Sequence, residues 1–195
     1  MAIFKKKHEF KPDKERTGAL NKLYLTKKQR RNIAKWLMMT FMLVLISIIQ
    51  DVIMSRIPIL GTRTDLTACT IMLVCIMLDP EIGSVFVLSA STLYYFSGSA
   101  PGPYVIVMLT LLGILTAIIR QSYLRYSFVS VFLCTALAFM LYEILIFATG
   151  LFLGYTTISR FQDFCITGGI SLVAIPILYP IFAAIGKIGG ETWTE

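Results

Sequence analysis

Apolar and polar segments alternate along the chain in a pattern typical of a membrane protein. A basic N-terminal segment precedes six apolar runs, which shorter polar segments separate. A transmembrane helix needs about 20 predominantly apolar residues. The pattern predicts an all-α integral membrane protein, a six-transmembrane-helix bundle. We expect its helices at residues 36–54, 65–78, 82–96, 104–119, 128–153 and 165–185. The third and fourth runs are short, and a five-span bundle with a re-entrant second run is the alternative.

Residues that begin or break helices support these boundaries. Thr26 opens a segment with capping-box spacing, so the first helix is expected to start in water, ahead of the membrane. Asp79 and Pro80 suit the N-cap and first position of the third helix. Pro58 and Gly61 break the chain between the first two helices. These breakers predict a structured turn there.

Two further patterns predict how the helices pack. Gly113 and Ala117 are a pair of small residues four positions apart, which allows close helix approach in lipid. Pro176 and Pro180 are expected to bend the sixth helix, because proline lacks the backbone N–H.

Positive charge is concentrated at the N-terminus. Residues 1–35 contain 12 of the 18 Lys and Arg and three acids, a net charge of +9, while the rest of the chain carries −2. By the positive-inside rule, both termini are expected in the cytoplasm. We predict a basic cytoplasmic tail at 1–25, the six-helix domain at 26–186 and a short cytoplasmic C-terminal tail at 187–195. We expect the N-terminal tail to contact anionic lipid rather than nucleic acid.

The composition argues against enzymatic chemistry. The one histidine, His8, lies in the tail, and neither a phosphate-binding loop nor a nucleophile elbow is present. The four cysteines lie in apolar runs without a CxxC pair, and we expect them to be small buried hydrophobes: Cys69, Cys75, Cys134 and Cys165. We therefore expect no catalytic residue, cofactor or metal site.

Five charged residues in or beside the apolar runs are candidates for a site. Glu143 lies inside the fifth helix, where an ionisable group often contacts a substrate, a proton path or a partner. The alternative is a neutral or hydrogen-bonded residue that holds helices together. Asp51, Arg56, Arg63 and Asp65 lie between the first two helices. They predict either a docking surface for an extracytoplasmic partner or ordinary helix capping with solvated charge.

Aromatic residues recur at the predicted helix ends. We expect them to form belts at the membrane interface rather than a ligand site. They are Tyr94, Tyr95, Phe96, Tyr104, Tyr123, Tyr126 and Tyr155.

Between about residues 36 and 186, the sequence resembles the rod shape-determining MreD family of bacteria. The first span ends in Gln50, an apolar-proline-apolar-glycine segment follows at residues 57–61, and Asp65 with Leu66 opens the second span. The resemblance continues with Gly83 and Phe86, a small-residue loop that ends at Gly102, and a basic loop at 123–128. The chain departs from the family at Thr64, where proline is frequent, and at Val87-Leu88 and Tyr94-Tyr95, where Gly-Leu and a later Asp are frequent.

The resemblance implies a non-enzymatic component of the bacterial cell-elongation machinery in the plasma membrane. Such a protein helps to maintain rod shape and to organise peptidoglycan synthesis. The implied partners are the bitopic protein MreC, indirectly the actin-like MreB, the RodA glycosyltransferase and a class B penicillin-binding transpeptidase. The implied fold is a six-helix bundle similar to the substrate-binding subunits of energy-coupling-factor transporters.

That fold also suggests a different function. The chain is alternatively a substrate-capture subunit for a vitamin or another small solute, which requires an outward cavity with specific polar groups. Its candidates are Glu143, Asp65 and the loop between the fifth and sixth helices. The first helix is bulky throughout, whereas such a subunit needs a small-residue face to dock its transporter. A third interpretation is a basic-tailed membrane protein that recruits nucleic acid or lipid.

Overall fold

The computed structural model describes residues 27–54, 56, 62, 64–123 and 127–188. These residues form helices and short connections, so the all-helical prediction is confirmed. The elements are α1 (Lys27–Ile49), which continues into a π-helical turn (Gln50–Met54), α2 (Leu66–Met77), α3 (Pro80–Phe96), α4 (Tyr104–Tyr123), α5 (Phe128–Phe152), a 3₁₀ turn (Ile158–Arg160), α6 (Phe161–Leu172) and α7 (Ile175–Ile188).

Several helices are long and apolar enough to cross a membrane. Within the described residues there are three: Arg30–Met54, Tyr104–Tyr123 and Phe128–Phe152. The pair Ile158–Leu172 and Ile175–Ile188, bent by 44°, makes a fourth if it is one span. Leu66–Met77 is a shorter apolar helix. The chain therefore has the helices of a membrane protein.

Helix α2 forms the centre of the bundle. Every residue from Thr67 to Met77 is buried, and α1 together with α3 to α7 contacts this helix. Its 12 residues extend only about 18 Å, less than the hydrocarbon thickness of a bilayer. Because protein surrounds it on all sides, α2 is a core helix, and its apolar sequence reflects burial in protein rather than contact with lipid.

Side chains from outside α2 form hydrogen bonds with backbone groups at its two ends. At the N-terminus, Gln50 Oε1 accepts a hydrogen bond from Thr67 N at 2.6 Å, and Asp65 Oδ1 accepts one from Ala68 N at 3.1 Å. At the C-terminus, Arg120 Nη2 donates to the Leu78 carbonyl at 3.3 Å. Helix ends leave backbone groups without intrahelical partners, and such groups are costly away from water. These contacts hold the short helix in place.

The predicted bend in the sixth helix is present, and it divides this segment into two helices. α6 ends at Leu172 and α7 begins at Ile175, with the bend between them. Pro176 explains the break, because it has no N–H for the Leu172 carbonyl and its ring would clash with that carbonyl. Pro180 remains inside α7. The proline signal was correct, but it produces two helices.

The start of α3 agrees with its predicted position, whereas the end of α4 lies later in the sequence than predicted. Asp79 is the N-cap residue of α3 and Pro80 its first residue, as predicted, although the Asp79 side chain makes no capping hydrogen bond. α4 extends to Tyr123, so Arg120 is a buried helix residue rather than part of the following loop. Thr26, Pro58 and Gly61, the tail at 1–25, part of the loop at 123–128 and residues 189–195 lie outside the described residues.

Three of the four cysteines follow the sequence-based expectation. Cys69, Cys75 and Cys134 are buried and free, whereas Cys165 on α6 is exposed. The expectation of burial was therefore wrong for Cys165. Cys75 donates a weak hydrogen bond from its sulfur to the Gly83 carbonyl, 3.6 Å away, where α2 and α3 approach closely.

The close approach of α4 to α2 and α3 depends on Gly113. A Cβ atom there would lie 3.1 Å from Cys75 Sγ and 3.2 Å from Val87 Cγ2. Ala117, one turn later on the same helix, is also buried. The predicted small-residue pair thus lies in a packed helix interface.

Gly113→Leu is expected to lower the free energy of unfolding by about 1–3 kcal/mol, the usual cost of overpacking a core. Gly169→Leu is the matched control, because a Cβ atom at Gly169 has no heavy atom within 4 Å. SDS-induced unfolding in mixed micelles measures both variants. Equal losses in the two variants would contradict the importance of the close contact at Gly113.

Candidate functional site

A polar cavity of about 590 Å³ lies at one end of the bundle. The π-helical turn after α1, the residues before α2, the C-terminal end of α3, the middle of α5, the 3₁₀ turn and the start of α6 all contribute to its wall. We call it the polar cavity. The ionisable groups that line it are Asp51, Asp65, Tyr94, Tyr142, Glu143, Arg160 and Asp163.

Asp65 connects three helices at the cavity wall. Besides capping α2, its Oδ2 accepts a hydrogen bond from the Tyr94 hydroxyl at 2.9 Å. Its backbone N–H donates to Ser171 Oγ at 2.9 Å, which ties the start of α2 to α6. Ser171 Oγ in turn donates to the Thr167 carbonyl. The Asp65 carboxylate is therefore fixed in orientation by its own helix and by α3.

Asp51 lies at the rim of the cavity. It belongs to the π-helical turn, and its Oδ1 accepts a hydrogen bond from Ser99 Oγ in the segment between α3 and α4. Gln50, the preceding residue, is buried by its contact with Thr67. Consecutive residues of the π-helical turn thus contact different elements: Gln50 bonds to α2, and Asp51 bonds to the segment between α3 and α4.

Glu143 points into the same cavity from the middle of α5. It is 6% exposed, and its carboxylate makes no hydrogen bond or ion pair with any described residue. The neighbouring Tyr142 is 1% exposed, and its hydroxyl also has no hydrogen-bond partner within the described part of the chain. Gly168 of α6 lies against Glu143, since a Cβ there would be 3.6 Å from Glu143 Cγ.

The structure brings three of the five candidate residues together. Asp51, Asp65 and Glu143 line the cavity. Arg56 is exposed and does not line it, although its backbone N–H donates to the Ile53 carbonyl at 3.2 Å. Arg63 lies outside the described residues.

Four ionisable residues of the cavity were missing from the predicted site. Tyr94 was assigned to an interface belt, but it is buried and bonded to Asp65. Its position on the buried face of α3, four and seven residues after Ala90 and Val87, was the available signal. Arg160 and Asp163 were indicated only as part of the loop between the fifth and sixth helices. Tyr142 gave no signal beyond its place next to Glu143.

Polar and aromatic groups line the cavity, and no metal-binding cluster is found among the residues that the structure describes. The described residues contain no group of three or more His, Cys, Asp or Glu side chains that could hold a metal ion. The cavity instead combines carboxylates, hydroxyls and aromatic rings. No family model, no curated protein and no solved structure matches the chain.

Proposed function

We propose that the chain is a non-enzymatic membrane component of the bacterial cell-elongation machinery, of the MreD type. One observation supports this proposal most: three residues that carry the sequence resemblance, Gln50, Asp65 and Gly83, pack against the central helix. Gln50 and Asp65 accept hydrogen bonds from backbone N–H groups at the N-terminus of α2. At the other end of α2, a Cβ atom on Gly83 would lie 3.0 Å from the Cys75 carbonyl oxygen. Phe86 packs near Trp36, with ring centroids 6.1 Å apart.

We infer six spans with both termini in the cytoplasm of a bacterial cell. α1, α4, α5 and the α6–α7 pair supply four spans. α3, with 17 residues, is the fifth, and α2 is the sixth, a core helix whose 12 residues cross only the centre of the membrane, enclosed by the other helices. Charge supports the orientation: Lys35 of α1 and Arg120 of α4 lie toward the end of the bundle opposite the polar cavity, and that end is the cytoplasmic one by the positive-inside rule.

In this proposal the protein binds an MreC-like bitopic membrane protein. Through it, the protein acts with an MreB-like actin homologue, a RodA-like glycosyltransferase and a class B penicillin-binding transpeptidase. Its basic tail adds contact with anionic lipid. Large apolar side chains on α1 that face away from the bundle give such a partner helix a surface to pack on: Leu37, Phe41, Val44 and Ile48.

Depletion of the protein from its rod-shaped host is the first test. We expect the cells to become round, and the tagged protein to co-purify an MreC-like protein from membranes. Phe41→Ala should weaken co-purification, and Leu137→Ala, which removes another exposed apolar side chain on α5, is the matched control. Rod shape that persists after depletion, without an MreC-like protein in the purified material, would overturn the proposal.

A second candidate function is capture of a small solute for a transporter. The polar cavity supports it, because Asp65, Glu143, Arg160 and Asp163 come together there as this function requires. The bulky outer face of α1 argues against docking to a transporter. Mass spectrometry of small molecules that co-purify with the protein, together with uptake by the deletion strain, tests this candidate. A bound solute whose uptake is lost on deletion would favour it over the elongation role.

A further inference from the structure

The polar cavity carries an excess of acidic groups. Four of its described lining residues have carboxyl groups, Asp51, Asp65, Glu143 and Asp163, and one described lining residue, Arg160, is cationic. A cleft lined by one sign of charge raises the local concentration of ligands of the opposite sign. The cavity therefore favours a cation over an anion.

Glu143 is built into the cavity wall, where none of the described residues pairs with it. Its carboxylate is nearly enclosed by protein. Burial of a carboxylate is costly unless a cation or hydrogen-bond donors compensate, so an entering cation would offset the cost. Tyr142, the preceding residue of α5, also lines the cavity, and its hydroxyl oxygen can accept a hydrogen bond from an N–H donor.

The size and lining of the cavity indicate an organic cation. A volume of about 590 Å³ is far larger than a metal ion needs and lies within the range of small-molecule sites. Tyr94, Tyr142 and Phe164 add aromatic rings to the wall. Aromatic faces attract ammonium and guanidinium groups. The exposed residues Ser97 and Gly98 at the end of α3 form part of the wall, so the cavity is accessible from solvent.

We propose that the polar cavity binds a positively charged nitrogen group, an ammonium or a guanidinium, with Glu143 as its principal counter-ion. The group belongs either to a free small amine or to a basic side chain of a protein that docks on this end of the bundle. Both sources share the same chemistry at Glu143. This site goes beyond the elongation role, since the surface proposed above for an MreC-like partner lies on α1 and not in the cavity.

Calorimetric titration of the full-length protein in phosphatidylcholine nanodiscs tests the site. The probes are cadaverine, a free diamine, and acetyl-Gly-Lys-Gly-amide, which presents a lysine side chain. Glutarate, with carboxylates in place of the amines, is the probe control. We expect at least one cationic probe to bind, and glutarate not to bind. Tighter binding of cadaverine assigns the site to a free amine, and tighter binding of the peptide assigns it to a partner side chain.

Glu143→Gln is expected to weaken binding of the cationic probe by at least about tenfold, because it removes a buried charge that pairs with the ligand. Glu81→Gln is the matched control, since Glu81 is exposed at the start of α3 and does not line the cavity. Asp163→Asn, at an exposed position of the cavity wall, should weaken binding less and serves if Glu143→Gln does not fold.

Two results would overturn the proposal. One is the failure of both cationic probes to bind. The other is an affinity that is the same in wild type and in both cavity variants. Because co-purification of an MreC-like protein is measured separately, either result would remove the cation site and leave the elongation role in place.

Discussion

Asp65→Ala lowers the free energy of unfolding by about 2.5–4 kcal/mol. The lost N-cap costs about 1 kcal/mol, and the lost bond between a charged group and the buried Tyr94 hydroxyl costs about 1.5–3 kcal/mol. The side chain of Asp65 serves α2 and α3 at once, through Ala68 N and the Tyr94 hydroxyl. α2 has no lipid-facing surface, so contact with the bilayer does not compensate when its first turn unwinds. SDS-induced unfolding in mixed micelles measures the loss.

Asp79→Ala is the matched control for Asp65. Asp79 is also an N-cap aspartate, but it is exposed and makes no side-chain capping bond. We expect its substitution to change stability by less than about 0.5 kcal/mol. Asp65→Asn should lose less than Asp65→Ala, since the amide oxygen still accepts from Ala68 N. A loss at Asp79 as large as that at Asp65 would contradict the role of these bonds.

Arg120→Ala is the second large effect, with an expected loss of about 3–5 kcal/mol, the range found when a large buried side chain is truncated or one partner of a buried charged contact is removed. Arg120 is 1% exposed, and its guanidinium donates to the carbonyl at the C-terminal end of α2. A cation at this position also interacts favourably with the negative end of the α2 dipole.

Two further variants separate packing from the charged contact at Arg120. Arg120→Met keeps much of the volume but removes the donor, so it should recover part of the loss. Arg30→Ala removes an exposed arginine from α1 and should leave stability unchanged within about 0.5 kcal/mol. The same unfolding measurement serves all three. Equal stability of Arg120→Ala and wild type would show that the Leu78 carbonyl needs no donor from α4.

Proline positions and apolar runs in the sequence predicted helices correctly where they alone determine where a helix forms or begins. Pro80 marked the start of α3, and the apolar runs predicted α4 and α5 directly. The sixth run divides into two bent helices: hydropathy continues across residues 173 and 174, while Pro176 removes a backbone hydrogen bond at that point. Apolar composition alone could not reveal that α2 is enclosed, because lipid and protein interior favour the same side chains.

The candidate site was predictable only in part. Glu143 was found because charge is rare in apolar helices, and Asp65 because it belongs to the charged segment between the first two helices. Their meeting in one cavity, 78 positions apart in the sequence, follows from the packing of α5 against α2. Tyr94 was missed because tyrosine is ordinary at membrane interfaces, and Tyr142 because nothing in its apolar run marked it. Only the fold shows that both side chains are buried and line the cavity. Arg63 lies outside the described residues, and its docking role stays a prediction.

The enclosure of α2 sets an order for the synthesis of this protein in the cell. When the ribosome has made α1, α2 and α3, the aspartate cap of α2 is present, but Arg120 and the walls from α4 and α5 have not yet been made. A helix of 12 residues is too short to span the bilayer alone. We therefore expect the early helices to stay with the insertion machinery until α4 and α5 emerge, and nascent chains that stop after Phe96 to remain bound to it.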